Sequence, residues 1–391
     1  MLKIHIISAA LPPDLDGIGD YTARVAAELS ASAQIKVLTR QGAAPEPITD
    51  VEIEQVFRSD RRADVRAVAS RVAADRPDWL LLQYNPFSYG RWGLNAHLPA
   101  AVARAKRLSA RTRIALMVHE PFVPVSSWKF AIMTVWQRWQ LLALGRAADL
   151  VFFSVEPWAK RFARWFPGKP VVHLPVASNV PRLDTPRHEA RRRLRIANDE
   201  IVLGLFGWAH PNQMLNWVAP AARAASAAGP VRVLYLGPQK AVVRAAVPDV
   251  RLIADGLLPP DEVSRRLSAV DVFLCAFIDG VSTRRTSMMA ALQHGLAIVG
   301  TRGQVTDSVL LKHHGRALLL TEVDDEAGFA LHVEALAADP VRRSALGRAG
   351  RQLYDEQFAS PLTAARLLYT FSTLDASGRC EEQGTWYRED N

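Results

Sequence analysis

Short, almost unbroken apolar runs alternate along this chain with longer stretches of helical period. Residues 3–9, KIHIISA, form the first run, and Pro12, Pro13, Gly17 and Gly19 end it. Tyr21, Val25 and Leu29 then recur at helical spacing, and Ile35–Thr39 reads as a second strand. Trp79–Gln83, Ile114–Val118, Leu150–Ser154 and Val171–Leu174 repeat the theme. Continuous apolar character suits parallel strands covered on both faces. Strand, glycine turn, helix, strand is the opening of an α/β sheet.

The pattern breaks between Asn179 and Glu200, where Pro181, Pro186 and the run Arg191–Arg192–Arg193 predict a linker, with or without one short helix. A second α/β series follows in Ile201–Gly207, Val231–Gly237, Val250–Ile253, Val272–Ala276, Ala297–Gly300 and Ala317–Leu320. A chain of 391 residues is too long for one ordinary core. The expected layout is an N-terminal Rossmann-like domain over 1–180, a linker over 181–200 and a second Rossmann-like domain over 201–360. A terminal helix over 361–375 and a loose polar tail over 376–391 complete it. Two parallel-sheet domains facing a central cleft would bind ligand beyond the carboxyl ends of their strands.

The formal charge of +9 suits a nucleotide, an anionic lipid or a nucleic acid. Zinc-finger spacing and long basic runs are absent from the sequence, so no nucleic-acid partner is expected. Two cysteines, Cys275 in an apolar run and Cys380 in the tail, fit a reducing compartment. The opening residues do not read as a signal peptide, and no run approaches the ~18 apolar residues of a spanning helix. The expected location is cytoplasmic, with peripheral contact at the inner face of a membrane as an option. No clustered acidic or histidine spacing suggests a metal.

Candidate chemistry sits in the turns after the strands. Gly17 and Gly19 let the backbone approach a ligand, although Asp20 there also reads as a plain helix cap. His119 follows a strand and is able to donate to a sugar hydroxyl; a structural histidine is the competing reading. Gly207 and Trp208 end another strand, with Gln213 close behind; Trp208 stacks on a planar ring or fills a crevice. Lys240 reaches phosphate or is a surface lysine, and Leu257 lies in a turn whose backbone could contact a base. Asp279 to Thr301 is the strongest segment. Gly280 opens it, Ser282 and Thr283 offer hydroxyls, and Arg284 and Arg285 stand near a helix start. Arginine forks grip phosphate there, beside free N–H groups. A solvated arginine pair is the alternative. Trp158, Phe162 and Trp165 form an aromatic stripe that packs between elements or dips into a lipid surface, and Trp128, Trp136 and Trp139 raise the same question.

The order of these segments resembles the family 4 retaining glycosyltransferases of the GT-B type. The likeness covers most of residues 1–375 and rests on Gly17–Gly19, His119, Phe206–Gly207, the block from Gly256 to Asp271, and Asp279 to Thr301. It implies transfer of a sugar from a nucleotide-diphosphate donor, UDP- or GDP-linked, with no separate cofactor. The acceptor would be a glycan, glycolipid or small molecule. His119 would contact the donor sugar, Gly17 and Gly19 would close over the diphosphate, and the second domain would hold the nucleotide. The sequence departs from the family at two places. The glutamate pair falls on Ser282 and Ala290, and the phosphate-binding arginine and lysine fall on Trp208 and Gln213. Arg284 and Arg285 are the candidates to replace that charge. The alternatives are a catalytically weak or inactive nucleotide-sugar or glycan-binding protein of the same fold, supported by Ser282, Ala290, Trp208 and Gln213, or an interaction subunit at a membrane surface that uses the Trp158–Trp165 stripe.

Overall fold

The apolar runs fold as strands in a computed structural model that describes residues 1–42, 44–58, 62–125 and 127–374. The polar tail over 376–391, with Cys380, lies outside the described residues. Two compact units form, Met1–Pro175 with the chain from Ser360 onward, and Val176–Ala359.

In the first unit the strands are β1 (Leu2–Ser8), β2 (Ala33–Arg40), β3 (Val51–Phe57), β4 (Trp79–Tyr84), β5 (Arg113–Val118), β6 (Leu150–Phe153) and β7 (Val171–His173). They pair in the order β3-β2-β1-β4-β5-β6-β7, all parallel. β3 was not among the expected strands. Its sequence, VEIEQVF, alternates polar and apolar residues because it is an edge strand, with only Phe57 buried. The helix Ser360–Thr373 belongs to this unit, where Phe371 stacks on Trp79 with ring centroids 4.4 Å apart.

The second unit contains β8 (Ile201–Phe206), β9 (Val231–Leu236), β10 (Arg251–Ala254), β11 (Val272–Cys275), β12 (Ala297–Arg302) and β13 (Leu319–Glu322), parallel in the order β10-β9-β8-β11-β12-β13. Alternate residues of one strand feed separate cores. Val202, Leu234, Phe273 and Ile298 enter one, while Leu203, Val233, Leu274 and Val299 enter the other. Both faces are therefore covered, as continuous apolar runs require.

The segment read as a linker is built into this second unit. It carries the helix Arg187–Arg193, and Arg191 is buried. Arg191 pairs with the buried Asp271, as do Arg187 and, at 3.7 Å, Arg343. Its Nη1 also donates to the carbonyls of Ala197, Asn198 and Glu200 at 3.0 to 3.2 Å. Breaking a buried pair from one side leaves the other charge poorly compensated. Arg191→Met should lower unfolding stability by about 3 kcal/mol or more. The exposed neighbour substitution Arg192→Met should shift it by less than about 0.5 kcal/mol. Equal denaturation midpoints for the two variants would contradict this role.

Candidate functional site

Parallel strands deliver the turns after β8, β9, β11 and β12 to one edge of the second sheet. Gly207, with φ +98°, ends β8 in a conformation that suits glycine. Gly237 packs onto it so closely that a Cβ there would lie 2.2 Å from the Gly207 carbonyl oxygen. The Tyr235 hydroxyl donates to that same carbonyl at 2.9 Å. The chain beyond Gly207 is hydrogen-bonded to the chain beyond β11. Gln213 bridges Phe277, the Met214 N–H donates to Ala276 and the Ile278 N–H to Asn212, each at 2.9 Å. Gly280, with φ +87°, packs against Gly303 and Thr306. The Val281 N–H donates to the Thr301 carbonyl at 2.8 Å, and the Thr283 N–H donates to Asp307 Oδ2 at 2.6 Å. These bonds tie the β8, β11 and β12 turns into one frame.

Arg284 and Arg285 occupy this frame, and a solvated pair is not what forms. Arg284 Nη2 donates to Asp279 Oδ2 at 3.2 Å, and Arg285 Nη2 donates to Asp279 Oδ1 at 3.0 Å. The Arg285 guanidinium also lies 4.0 Å over the Phe277 ring, a cation–π contact. Their side chains are only 11 and 12 percent exposed. Arg285 is the cap residue of the helix Thr286–Gln293, which has no side-chain cap. A cap position favours an acceptor such as Asp or Ser, and a helix start favours negative charge. Asp279 supplies the negative charge from five and six residues earlier. Sequence reasoning placed Asp279 at the head of the loop without seeing that it joins both arginines; the signal available was its position before Gly280 and a turn.

The other expected residues divide. Gly207 reaches the arginine helix, with its Cβ position 4.0 Å from Ser287 Cβ. Ser282 and Thr283 are fully buried, so in this conformation they build the loop and do not line its surface. Gln213 is half-buried, and its backbone forms the bridge to Phe277. Trp208 and Leu257 are exposed after β8 and β10, and Lys240 is the exposed first residue of a short helix after β9. Among the described residues, no group of three or more His, Cys, Asp or Glu is placed to hold a metal ion.

In the first unit, Gly17 and Gly19 are not a free loop. They form the first turn of the helix Gly17–Ser30, which starts earlier than Asp20. Asp16 is its cap, accepting from the N–H groups of Ile18 at 3.0 Å and Gly19 at 2.7 Å. A Cβ on Gly19 would lie 2.9 Å from the Ala10 carbonyl oxygen, so this glycine lets the helix approach the end of β1. His119 follows β5, buried against the edge of the Tyr21 ring, with Nε2 2.7 Å from Gln83 Oε1. Burial pushes its imidazole down to about 3, so it stays neutral at physiological pH. Beyond the ends of β1, β2 and β4 lies a cavity of about 330 Å³, with Asp14, Asp16, Arg40 and Ser88 as its polar wall and Leu15 and Phe87 as apolar wall. Sequence reasoning did not single out Asp14 or Arg40.

No protein-family model matches the sequence, and no curated protein matches it. Solved structures do match. A sucrose-phosphate synthase from Thermosynechococcus elongatus superposes with a TM-score of 0.71 at 15% identity, covering 96% of this chain and 99% of that one. Anabaena Alr3699/HepE in complex with UDP and glucose gives 0.72 at 14% identity, covering 96% and 100%. WaaG, a glycosyltransferase involved in lipopolysaccharide biosynthesis, gives 0.65 at 13%, covering 93% and 99%. The fold is GT-B.

His119 is one of several histidines that this GT-B chain keeps neutral. Burial also lowers His5, His173 and His294 to about 4. An unfolded imidazole protonates near 6.5. Between that value and the folded values the unfolded chain binds more protons, so stability is lost as pH falls. Unfolding free energy should be lower at pH 5.5 than at pH 7.5, and His119→Gln should reduce the difference. A flat profile over that interval would rule out the neutral-histidine assignment.

Proposed function

We propose that this protein is a retaining glycosyltransferase that moves a sugar from a UDP- or GDP-linked donor to a hydroxyl acceptor. One observation carries the reading: two guanidiniums converge on a single carboxylate at an uncapped helix start. Two adjacent guanidiniums beside the first-turn N–H groups of a helix are an environment for a diphosphate. The UDP and glucose held by Alr3699/HepE, a chain of the same fold, support the choice of donor.

Charge builds on the diphosphate as the bond from the anomeric carbon to phosphate oxygen breaks. Arg284, Arg285 and the first-turn N–H groups of Thr286–Gln293 would stabilise that charge. The acceptor oxygen would bond to the anomeric carbon on the face that the phosphate leaves and pass its proton to the departing phosphate oxygen, which gives retention without a protein nucleophile. Gly207 would let the backbone approach the phosphates, with Trp208, Lys240, Leu257 and Gly280 completing the donor side and buried Ser282 and Thr283 supporting the loop from within. In the first unit, neutral His119 is the residue proposed to contact a sugar, while the Gly19 N–H is already taken by Asp16. The acceptor side is proposed at the cavity bounded by Asp14, Arg40 and Ser88, whose mixed wall suits a glycan, the sugar head of a glycolipid or a small polyol.

A second reading has its own support. Ser282 and Ala290 stand where the resembled family has glutamates, and both are fully buried, so neither brings a carboxylate to the donor. A nucleotide-sugar-binding protein without transfer activity fits that fact. Incubation with UDP-sugars and candidate acceptors separates the readings, because only the enzyme releases UDP.

Replacing both arginines, Arg284→Gln with Arg285→Gln, should weaken UDP binding by at least tenfold, since a charged hydrogen bond contributes about 1.5–3 kcal/mol. Calorimetric affinity equal to that of the parent would remove the pair from the donor site. His119→Ala should depress transfer more than UDP affinity, and a variant with parental turnover would exclude His119 from the reaction.

A further inference from the structure

The helix Trp128–Ala147 is built inside out over its first half. Its inward positions include Thr134, Gln137 and Gln140, all buried. Each is satisfied. Thr134 Oγ1 donates to Phe130 O at 2.7 Å. Gln137 Oε1 accepts from the Val123 N–H at 2.9 Å, and its Nε2 donates to Trp92 O at 3.2 Å. Gln140 Oε1 accepts from the Asn95 N–H at 2.7 Å, and its Nε2 donates to the Tyr84 hydroxyl at 3.1 Å. The outward positions are Trp128, Ile132, Val135 and Trp139, spaced as one helical face and 49 to 71 percent exposed. A helix on a water-facing surface normally shows the opposite arrangement.

Trp92 extends this face. It holds a positive φ of 57° with its ring outward, and Trp136 Nε1 and Gln137 Nε2 both donate to its carbonyl. A bulky residue in that conformation persists only where its surroundings fix it. The other aromatic stripe behaves differently. Phe162 is buried against Phe122 and Phe153, and Trp158 and Trp165 pack on the same core, so that stripe is packing.

The charges of this helix say what covers the face, with Lys129 and Arg138 flanking it and the Arg138 guanidinium 4.8 Å from the Phe122 ring centroid. The helix carries Lys129, Arg138 and Arg146 and contains no Asp or Glu. Lys129 Nζ lies 5.7 Å from the Trp128 ring centroid, and the Arg91 guanidinium lies 4.9 Å from that of Trp92. A second copy would bring cation against cation along this helix. A sheet of phosphates complements it, and indole rings favour the level of lipid headgroups. Among the described residues no helix is long and apolar enough to cross a membrane, so the contact would be peripheral. We propose that the face formed by Trp92, Trp128, Ile132, Val135 and Trp139 docks on an anionic phospholipid bilayer. This goes beyond the glycosyl-transfer reading and does not depend on it.

Vesicle co-sedimentation of the full chain tests it, with phosphatidylcholine vesicles that contain or lack phosphatidylglycerol. Binding should be at least about tenfold stronger to the anionic vesicles, with high salt weakening it. Trp128→Ser with Trp139→Ser, and separately Lys129→Glu with Arg138→Glu, should each reduce it about tenfold. Circular dichroism and UDP affinity of both variants should match the parent, which keeps a failure here distinct from a failure of the donor site. Equal or absent binding to the two vesicle types overturns the proposal. So does a concentration-dependent dimer that Trp128→Ser with Trp139→Ser dissolves, because the face would then belong to a second copy.

Discussion

The Asp279 carboxylate holds two adjacent arginines together at a helix start in the second unit. Two adjacent arginines at a helix start repel each other and oppose the helix dipole. One oxygen of Asp279 holds each guanidinium, and the Phe277 ring supports Arg285 from below. Before any ligand arrives, Asp279 fills the place of an anion. In the proposed donor site a diphosphate would have to share or displace it, so affinity would be set by the difference between two charge-assisted contacts.

That arrangement is worth holding only if the loop around it is firm, and the sheet makes it so. Parallel strands deliver the turns that follow them to one edge, and the turns after β8, β11 and β12 are then bonded to each other. Gly237 against Gly207, and Gly280 against Gly303, bring backbones closer than side chains would permit. Buried Ser282 and Thr283 are part of this support. A loop held this firmly keeps the two guanidiniums in one place.

Much of this was legible in the sequence because parallel strands buried on both faces leave unbroken apolar runs. β3 escaped because an edge strand alternates, and VEIEQVF has no continuous run to find. The linker reading failed to foresee Arg191 because a buried arginine looks, in sequence, like its exposed neighbours Arg192 and Arg193; only Asp271, far along the chain, distinguishes it. The arginine pair was visible, while its partner Asp279 was hidden by the turn through Gly280 that folds it back. The helix Trp128–Ala147 was the hardest case. Its tryptophans gave a choice between core and surface, and the buried Gln137 and Gln140 that decide it find their partners in Trp92, Asn95 and Tyr84.

The most direct test is a crystal structure of the full chain with UDP bound. A diphosphate oxygen should lie within hydrogen-bond distance of Arg284 or Arg285, over the first turn of Thr286–Gln293, with at least one Asp279 contact lengthened or broken. A diphosphate seated elsewhere along the sheet edge, with both arginines still closed on Asp279, would contradict this assignment.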